Sequence, residues 1–461
     1  MRTKCFITAI FTLIVFLFVT ACAPSSAESF EGSEAQSNES WLEENQTPFN
    51  GDILCSPKEV EALSSREYKS DELAMIMDKA ILFATRFTPF VYQNYDEDNL
   101  VISPISIFMV LGMLAECSNG QTREQILSAL DLSLEDLQSA YSLLYRLLDV
   151  DHKEETEAGD LLVAGKLEFS NSIWLDNDLS TNENCLTSLG DNYYSNAIAV
   201  DFGGKNEEAN NNIRQFIKKQ THGLIDKEHK FSEETLLAII NTLYLNDLWD
   251  YMGDPLQKTA PISFTSANGT QKNMQMLKGR YVEGQVYQAE SYSGFYTRTS
   301  HGYKLKFIVP NEGYTVDQIF TQENLQEFNS VDSFNAIDVE KRIRYYTRCF
   351  FPEYNVSYDE DIKNLLSEYF GITNLFNLGT CDFSGLTEEA VYCNSIKHTT
   401  TLNVNELGVE GAAVTVAELA GSAGPDDYTE VFLDFVVNKA FGFMITDPTG
   451  VVVFSGVVNT L

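Results

Sequence analysis

Between Asn405 and Pro425 the chain reads NELGVEGAAVTVAELAGSAGP, with no proline from Glu406 to Gly424. A linker built for flexibility or reach normally carries Pro, Ser or Lys. This stretch alternates instead. Leu407, Val409, Gly411, Ala413, Thr415, Ala417 and Leu419 carry no charge, while Glu410 and Glu418 share the other parity with Ala412, Val414, Val416 and Ala420. Side chains on a strand alternate between its faces, so such a segment can lay a small apolar face into a sheet. Every residue keeps its N–H, so nothing blocks ladder hydrogen bonds in a central strand. Gly408 supplies a hinge with unrestricted φ. Judged locally, a plain small-residue linker is the competing reading.

The rest of the chain can supply a sheet for that segment. Its 461 residues are 44% hydrophobic and 12% aromatic, enough for a sizeable core in one large domain or two ordinary ones. Apolar residues recur at helical spacing from Glu72 to about Tyr95, through Leu73, Ile76, Ala80, Phe83, Phe87 and Phe90. Ser103 to Cys117 reads as a buried helix. Thr122–Leu130, Leu134–Leu148 and Asn206–Gln220 read as further helices, the last ended at Gly223. Asn171–Leu175, Leu236–Leu245, Phe435–Val437, Phe441–Ile445 and Val451–Phe454 read as strands, with a turn at Asp447–Gly450. Helices cluster early and strands late, which predicts α+β rather than regular βαβ.

Several chemistries are excluded by what is missing. There is no phosphate-binding G-x-x-x-x-G-K-[ST], no G-x-G-x-x-G, no H-E-x-x-H and no G-x-S-x-G. Asp176-Asn177-Asp178 opens like a calcium loop, but the glycine and closing glutamate do not follow. His222 reads as a helix-end cap. The residues therefore predict neither an enzyme, nor a metal site, nor a cofactor. The formal charge is −36, from 31 Lys and Arg against 67 Asp and Glu, so a phosphate backbone is repelled and nucleic acid is an unsuitable partner. The eight cysteines include no C-x-x-C and define no disulfide pairing.

The N-terminus predicts export. Arg2 and Lys4 precede an apolar run from Phe6 to Val19, shorter than the roughly 20 residues of a membrane span. Val19-Thr20-Ala21-Cys22 resembles a bacterial lipobox, in which Cys22 becomes the lipidated first residue of an extracytoplasmic, membrane-anchored protein. The alternative is an ordinary signal cleaved after Ala21-Cys22-Ala23 and a secreted product. Residues 23–70 are rich in Ser, Glu, Asn and Gln and are expected to form a disordered acidic tether before a domain over 71–461.

The segment after Asn405 resembles the reactive-loop hinge of the serpin family, Glu-x-Gly-x-Glu-Ala-Ala-Ala-x-Thr. It is matched here by Glu406, Gly408, Val409, Glu410, Gly411, Ala412, Ala413, Val414 and Thr415. Further stretches are similar to serpin motifs in the family's order. They are Asn99–Ser106, Asn171–Trp174, Asn241–Leu245 with Trp249, Phe351–Phe376 with Asp382–Gly385, His398, Phe435–Phe441 and Phe454–Asn459. The resemblance implies three β-sheets, about nine helices and an exposed reactive-centre loop.

It also implies a function. A serine protease cuts the loop and forms an acyl-enzyme, and the freed loop enters the large sheet and distorts the protease. Counting from Glu406 at the family's usual spacing gives a reactive bond at Ser422–Ala423. Leu419–Ala420, Ala420–Gly421 and Gly421–Ser422 are alternatives. Small residues there suit elastase-like or subtilisin-like proteases, not trypsin-like ones. Ser103, Ser106 and His398 are expected where the sheet parts, and Trp174 at the top of the sheet below the insertion point. The implied molecule is a monomer. A non-inhibitory binding module, or a cross-class inhibitor of cysteine proteases, is the alternative. Leu407, Gly411, Ala440, Asn246-Asp247 and Arg214 depart from the family's commonest residues.

Overall fold

The long apolar stripe after Ser70 folds as the sequence dictates, and a cap fixes its start. Ser70 accepts a hydrogen bond from Leu73 N–H and opens α1, Asp71–Gln93. Leu73, Ile76, Ala80, Phe83, Phe87 and Val91 form its buried face. A computed structural model describes residues 51–155, 161–249, 255–331, 336–409 and 428–461. All of these belong to the unit Asn50–Leu461.

Next come α2, Pro104–Cys117, and α3, Gly120–Leu130. Ser103 caps α2 and Pro104 sits at its first turn, where a missing N–H costs nothing. Nearly every residue of α2 is buried, so it lies within the molecule. A capping box of Ser133 and Asp136 opens α4, Leu134–Leu148. Two more helices matter below: α5, Glu183–Asn192, and α6, Asn206–Gln220.

The largest sheet has eight strands. In chain order they are β1 (Asp52–Cys55), β2 (Val150–Glu155), β3 (Leu161–Asp176), β4 (Ser195–Val200), β5 (Leu237–Leu248), β6 (Tyr354–Asp361), β7 (Lys397–Val404) and β8 (Gly408–Val409). In space the order is β1-β4-β3-β5-β8-β7-β6, with β2 hairpinned onto β3. Only β3 and β4 run parallel, and α5 makes their crossover. Along β3, Ile173 and Leu175 join the main core, whereas Trp174 joins a second cluster with Ile198, Val200, Ile213, Ile217 and Ile240 beneath α6. The sheet is thus covered on both faces. A six-stranded sheet (99–102, 287–288, 292–298, 304–310, 441–446, 452–458) and a five-stranded sheet (257–258, 277–283, 337–338, 343–351, 429–436) complete the body, with a two-stranded ribbon at 262–265 and 271–274. Among the described residues there are nine α-helices. The α+β expectation holds.

The expected tether needs correction at its end. Residues 51–70 are part of the fold. β1 pairs antiparallel with β4, Asp52 opposite Ala199. Lys58 N–H donates to Gly190 O at 3.2 Å. Arg146 then clasps the strap, donating to Glu61 O at 2.8 Å and bridging Glu67 at 2.8 Å. Ile53 and Leu54 remain exposed, so burial gives this short strand no alternating signature to read in the sequence.

Candidate functional site

The site grows from the turn joining β7 to β8. Asn405 Oδ1 accepts from the N–H groups of Leu407 at 2.8 Å and Gly408 at 3.2 Å, reversing the chain tightly. Trp249 Nε1 donates to Asn405 O at 2.8 Å, Trp249 N–H to Leu407 O at 3.0 Å, and Leu256 N–H to Glu406 O at 2.7 Å. Gly408 then pairs with Leu248, and Val409 pairs with Asp247 on one side and Val404 on the other. A Cβ at 408 would stand 2.2 Å from Asp247 O, so only glycine fits. The turn therefore seeds a strand between β5 and β7, held on both edges.

Below Val409 that strand has no described continuation. β7 pairs along its whole length with β6, and β5 pairs with β3 from Asp247 to Leu237. Among the described residues, β5 and β7 share no ladder with each other. Each thus keeps one edge without a described partner. Over the eight residues of β7 this seam is about 26 Å long. A small cleft opens along it, lined by Asn241, Thr242, Lys397 and Thr399 under Ile217 and Ile225. Asn241 Oδ1 and Thr242 Oγ1 are buried there without a hydrogen-bond partner among the described residues.

His398 sits on β7 at this seam. Its Nε2 accepts from Ser103 N–H at 3.1 Å and lies 3.0 Å from Thr400 Oγ1. Ser103 Oγ donates to Ser106 Oγ at 2.9 Å. The three sequence-predicted residues Ser103, Ser106 and His398 are therefore brought together, joining the start of α2 to β7. Burial drives the His398 imidazole down to about 4, so it is neutral at pH 7.

Trp174 is a correction. It pairs with Ala238, at the far end of β5 from Asp247, roughly 30 Å from the β8 turn. Its ring packs under α6 and its Nε1 donates to Ser172 Oγ at 3.0 Å. The tryptophan at the turn is Trp249. Strand order, not the pattern of the strand itself, decides which end Trp174 occupies. Arg214 is one of the departures from the family's commonest residues. It is partly exposed on α6 and binds Asp226 at 2.7 Å.

Two clusters at the turn were not foreseen. Asp247 is fully buried, with Oδ1 2.7 Å from His301 Nδ1, and the His152 ring stacks 4.1 Å from that of His301. Burial first, then His301, hold His152 below its usual range. The Asn246-Asp247 departure is the only sequence signal of this arrangement, because its partners lie on distant segments. On the other side, Lys258 Nζ reaches Glu353 at 2.9 Å and Glu406 at 3.5 Å. Burial and the adjoining Glu406 carboxyl push Glu353 up, while the hydrogen bond with Glu353 and nearby Lys258 hold Glu406 down.

The remaining predicted residues, Glu410, Gly411, Ala412, Ala413, Val414 and Thr415 of the hinge, Leu419 to Ala423 around the reactive bond, and Cys22, lie outside the described residues. Among the described residues, no group of three or more His, Cys, Asp or Glu is arranged to hold a metal ion.

Among the described residues, an α+β body carries a two-residue strand seated between two long ones of its main sheet, and the next described pairing of the chain is at Thr429 in a different sheet. The chain belongs to the serpin family, for residues 79–461 match the description Serpin (serine protease inhibitor). It is 25% identical over 390 residues to an uncharacterized serpin-like protein of Methanosarcina acetivorans, covering 82% of this chain and 86% of that one. It is 26% identical over 381 residues to alpha-1-antitrypsin 1-1 of Mus musculus, covering 79% and 86%. Among solved structures, the thermophilic serpin tengpin in its native state matches with a TM-score of 0.67 at 23% identity, covering 89% of this chain and 100% of that one. A serpin of Arabidopsis in its native stressed conformation matches with a TM-score of 0.68 at 22% identity, covering 85% and 99%. At these identities the structural likeness establishes the fold.

Proposed function

We propose that this chain is an inhibitory serpin, a suicide substrate for serine proteases of elastase or subtilisin type. The protease serine attacks the loop, the Ser422–Ala423 peptide C–N bond breaks, and an ester C–O bond forms between the protease and Ser422. The new amino terminus at Ala423 leaves with the C-terminal fragment. The freed hinge, Gly408 to Thr415, then extends β8 between β5 and β7 and carries the esterified protease along the sheet. One observation carries this reading. Gly408 and Val409 are already paired to both flanking strands, and the residues that follow them are small and free of proline. A shallow protease pocket accepts Ser or Ala, whereas a trypsin-like pocket needs Lys or Arg.

The test is a denaturing gel after incubation with elastase, subtilisin and trypsin. A covalent band with the first or second, and a C-terminal fragment beginning at Ala423, is the expected result. Cleavage without a covalent band under every protease defeats the inhibitory reading.

We further propose that a lipid on Cys22 holds the protein outside the cytoplasm as a monomer at a bacterial surface. Cys22→Ser is expected to move it from the membrane fraction to the soluble one. Retention in membranes contradicts the anchor.

A further inference from the structure

The C-terminus of α2 and the first turn of α5 each bring a buried cysteine to the same point. Cys185 Sγ lies 4.0 Å from Cys117 Sγ, and the two residues are 7% and 1% exposed. Two thiols in van der Waals contact need only side-chain rotation and a small approach to reach the roughly 2.05 Å of a bond. We propose that Cys117 and Cys185 form a disulfide, and that this bond is a brake on expansion of the large sheet.

The brake follows from how the two helices are tied. α5 is spliced between β3 and β4, only Tyr193 and Tyr194 separating its last residue from β4. Gly190 of α5 also bonds the strap that follows β1. α5 therefore travels with β3, β4 and β5. The start of α2 is bonded through Ser103 to His398 on β7, the other side of the seam. Extending β8 past Val409 holds β5 and β7 two strand spacings apart along the seam, one spacing, about 4.8 Å, more than directly paired strands. A disulfide keeps its two Cα atoms within a window of about 4.4–6.8 Å. The bond's tolerance is smaller than the required displacement, so the oxidised pair opposes insertion. The brake rests on the insertion reading above, whereas the disulfide does not.

The oxidant is a low-molecular-mass disulfide. The Cys185 thiolate, the less buried of the pair, attacks one of its sulfurs and expels one thiol. The Cys117 thiolate then attacks Cys185 Sγ and expels the second. One disulfide is reduced to two thiols, which take up the two protons, and one protein disulfide forms. The hydrogen bond with Cys185 and burial both raise the Cys117 thiol above its usual range.

The full chain is treated with oxidised glutathione, mapped by mass spectrometry without reduction, and compared with the dithiothreitol-treated chain and Cys117→Ser/Cys185→Ser. The expected map contains a peptide joining Cys117 to Cys185. The reduced chain should gain thermal stability when its loop is cut, the oxidised chain should lose most of that gain, and dithiothreitol should restore it. The double variant should ignore the oxidant. Absence of the cross-linked peptide overturns the site. A cross-linked chain that gains as much stability as the reduced one overturns the brake and leaves the bond. If the reduced chain gains nothing, the insertion reading fails and takes the brake with it, while the peptide map still judges the disulfide.

Discussion

His398 shows how one buried side chain couples the seam to pH. Its folded pKa of about 4 lies below its ordinary 6.5. Between those values the unfolded chain binds a proton that the folded chain refuses. Stability from this group is therefore full above pH 6.5 and lost as pH falls toward 4, a change of order 3 kcal/mol. Asp149 and Asp447, raised by burial to about 7 and about 6, act in the opposite sense. A bulk pH curve mixes these signs, so the test is a difference. The stability advantage of wild type over His398→Gln, from urea unfolding, should be largest near pH 7 and shrink toward pH 4. A constant advantage across that range contradicts the assignment. Ser103, Ser106 and His398 were legible because each sits in a motif. The Asp247–His301 pair was not, since its members are 54 positions apart and no local pattern links them.

At the scale of elements, apolar spacing and residue type were the readable signals. The helix after Ser70 lies where apolar spacing places it, and the strand through Tyr244 where its apolar and aromatic content places it, give or take two or three residues. The edge strand Asp52–Cys55 was missed because its apolar residues face solvent and its pairing is with residues 195–200. The end of the sheet holding Trp174 was misjudged because strand order, not strand pattern, decides it. The proposed function turns on the hinge. Thr415 falls on the uncharged parity of the segment, so Thr415→Arg carries a charge into a sheet covered on both faces. The expected outcome is a loop that is still cut at the same rate while covalent complex falls at least tenfold. Undiminished complex would show that the uncharged parity of the hinge is not what insertion requires.

Among the described residues, the large sheet of the molecule has an incomplete ladder. Its most central seam, between β5 and β7, is closed at one end by two residues of β8 and has no described partner strand below them. A further strand along eight residues of β7 supplies hydrogen bonds on two edges, a gain on the order of 10 kcal/mol at the usual net value per bond. On the proposed inhibitory reading, the native fold is a state held by kinetics rather than by depth, and cutting the loop releases it. For a body of this size, that gain corresponds to a rise in melting temperature on the order of 10 °C. The measurement that tests this most directly is thermal unfolding of the full chain, under reducing conditions, before and after a single cut in the reactive loop. The account predicts a midpoint higher by about 10 °C or more after cutting. An unchanged or lower midpoint would contradict it.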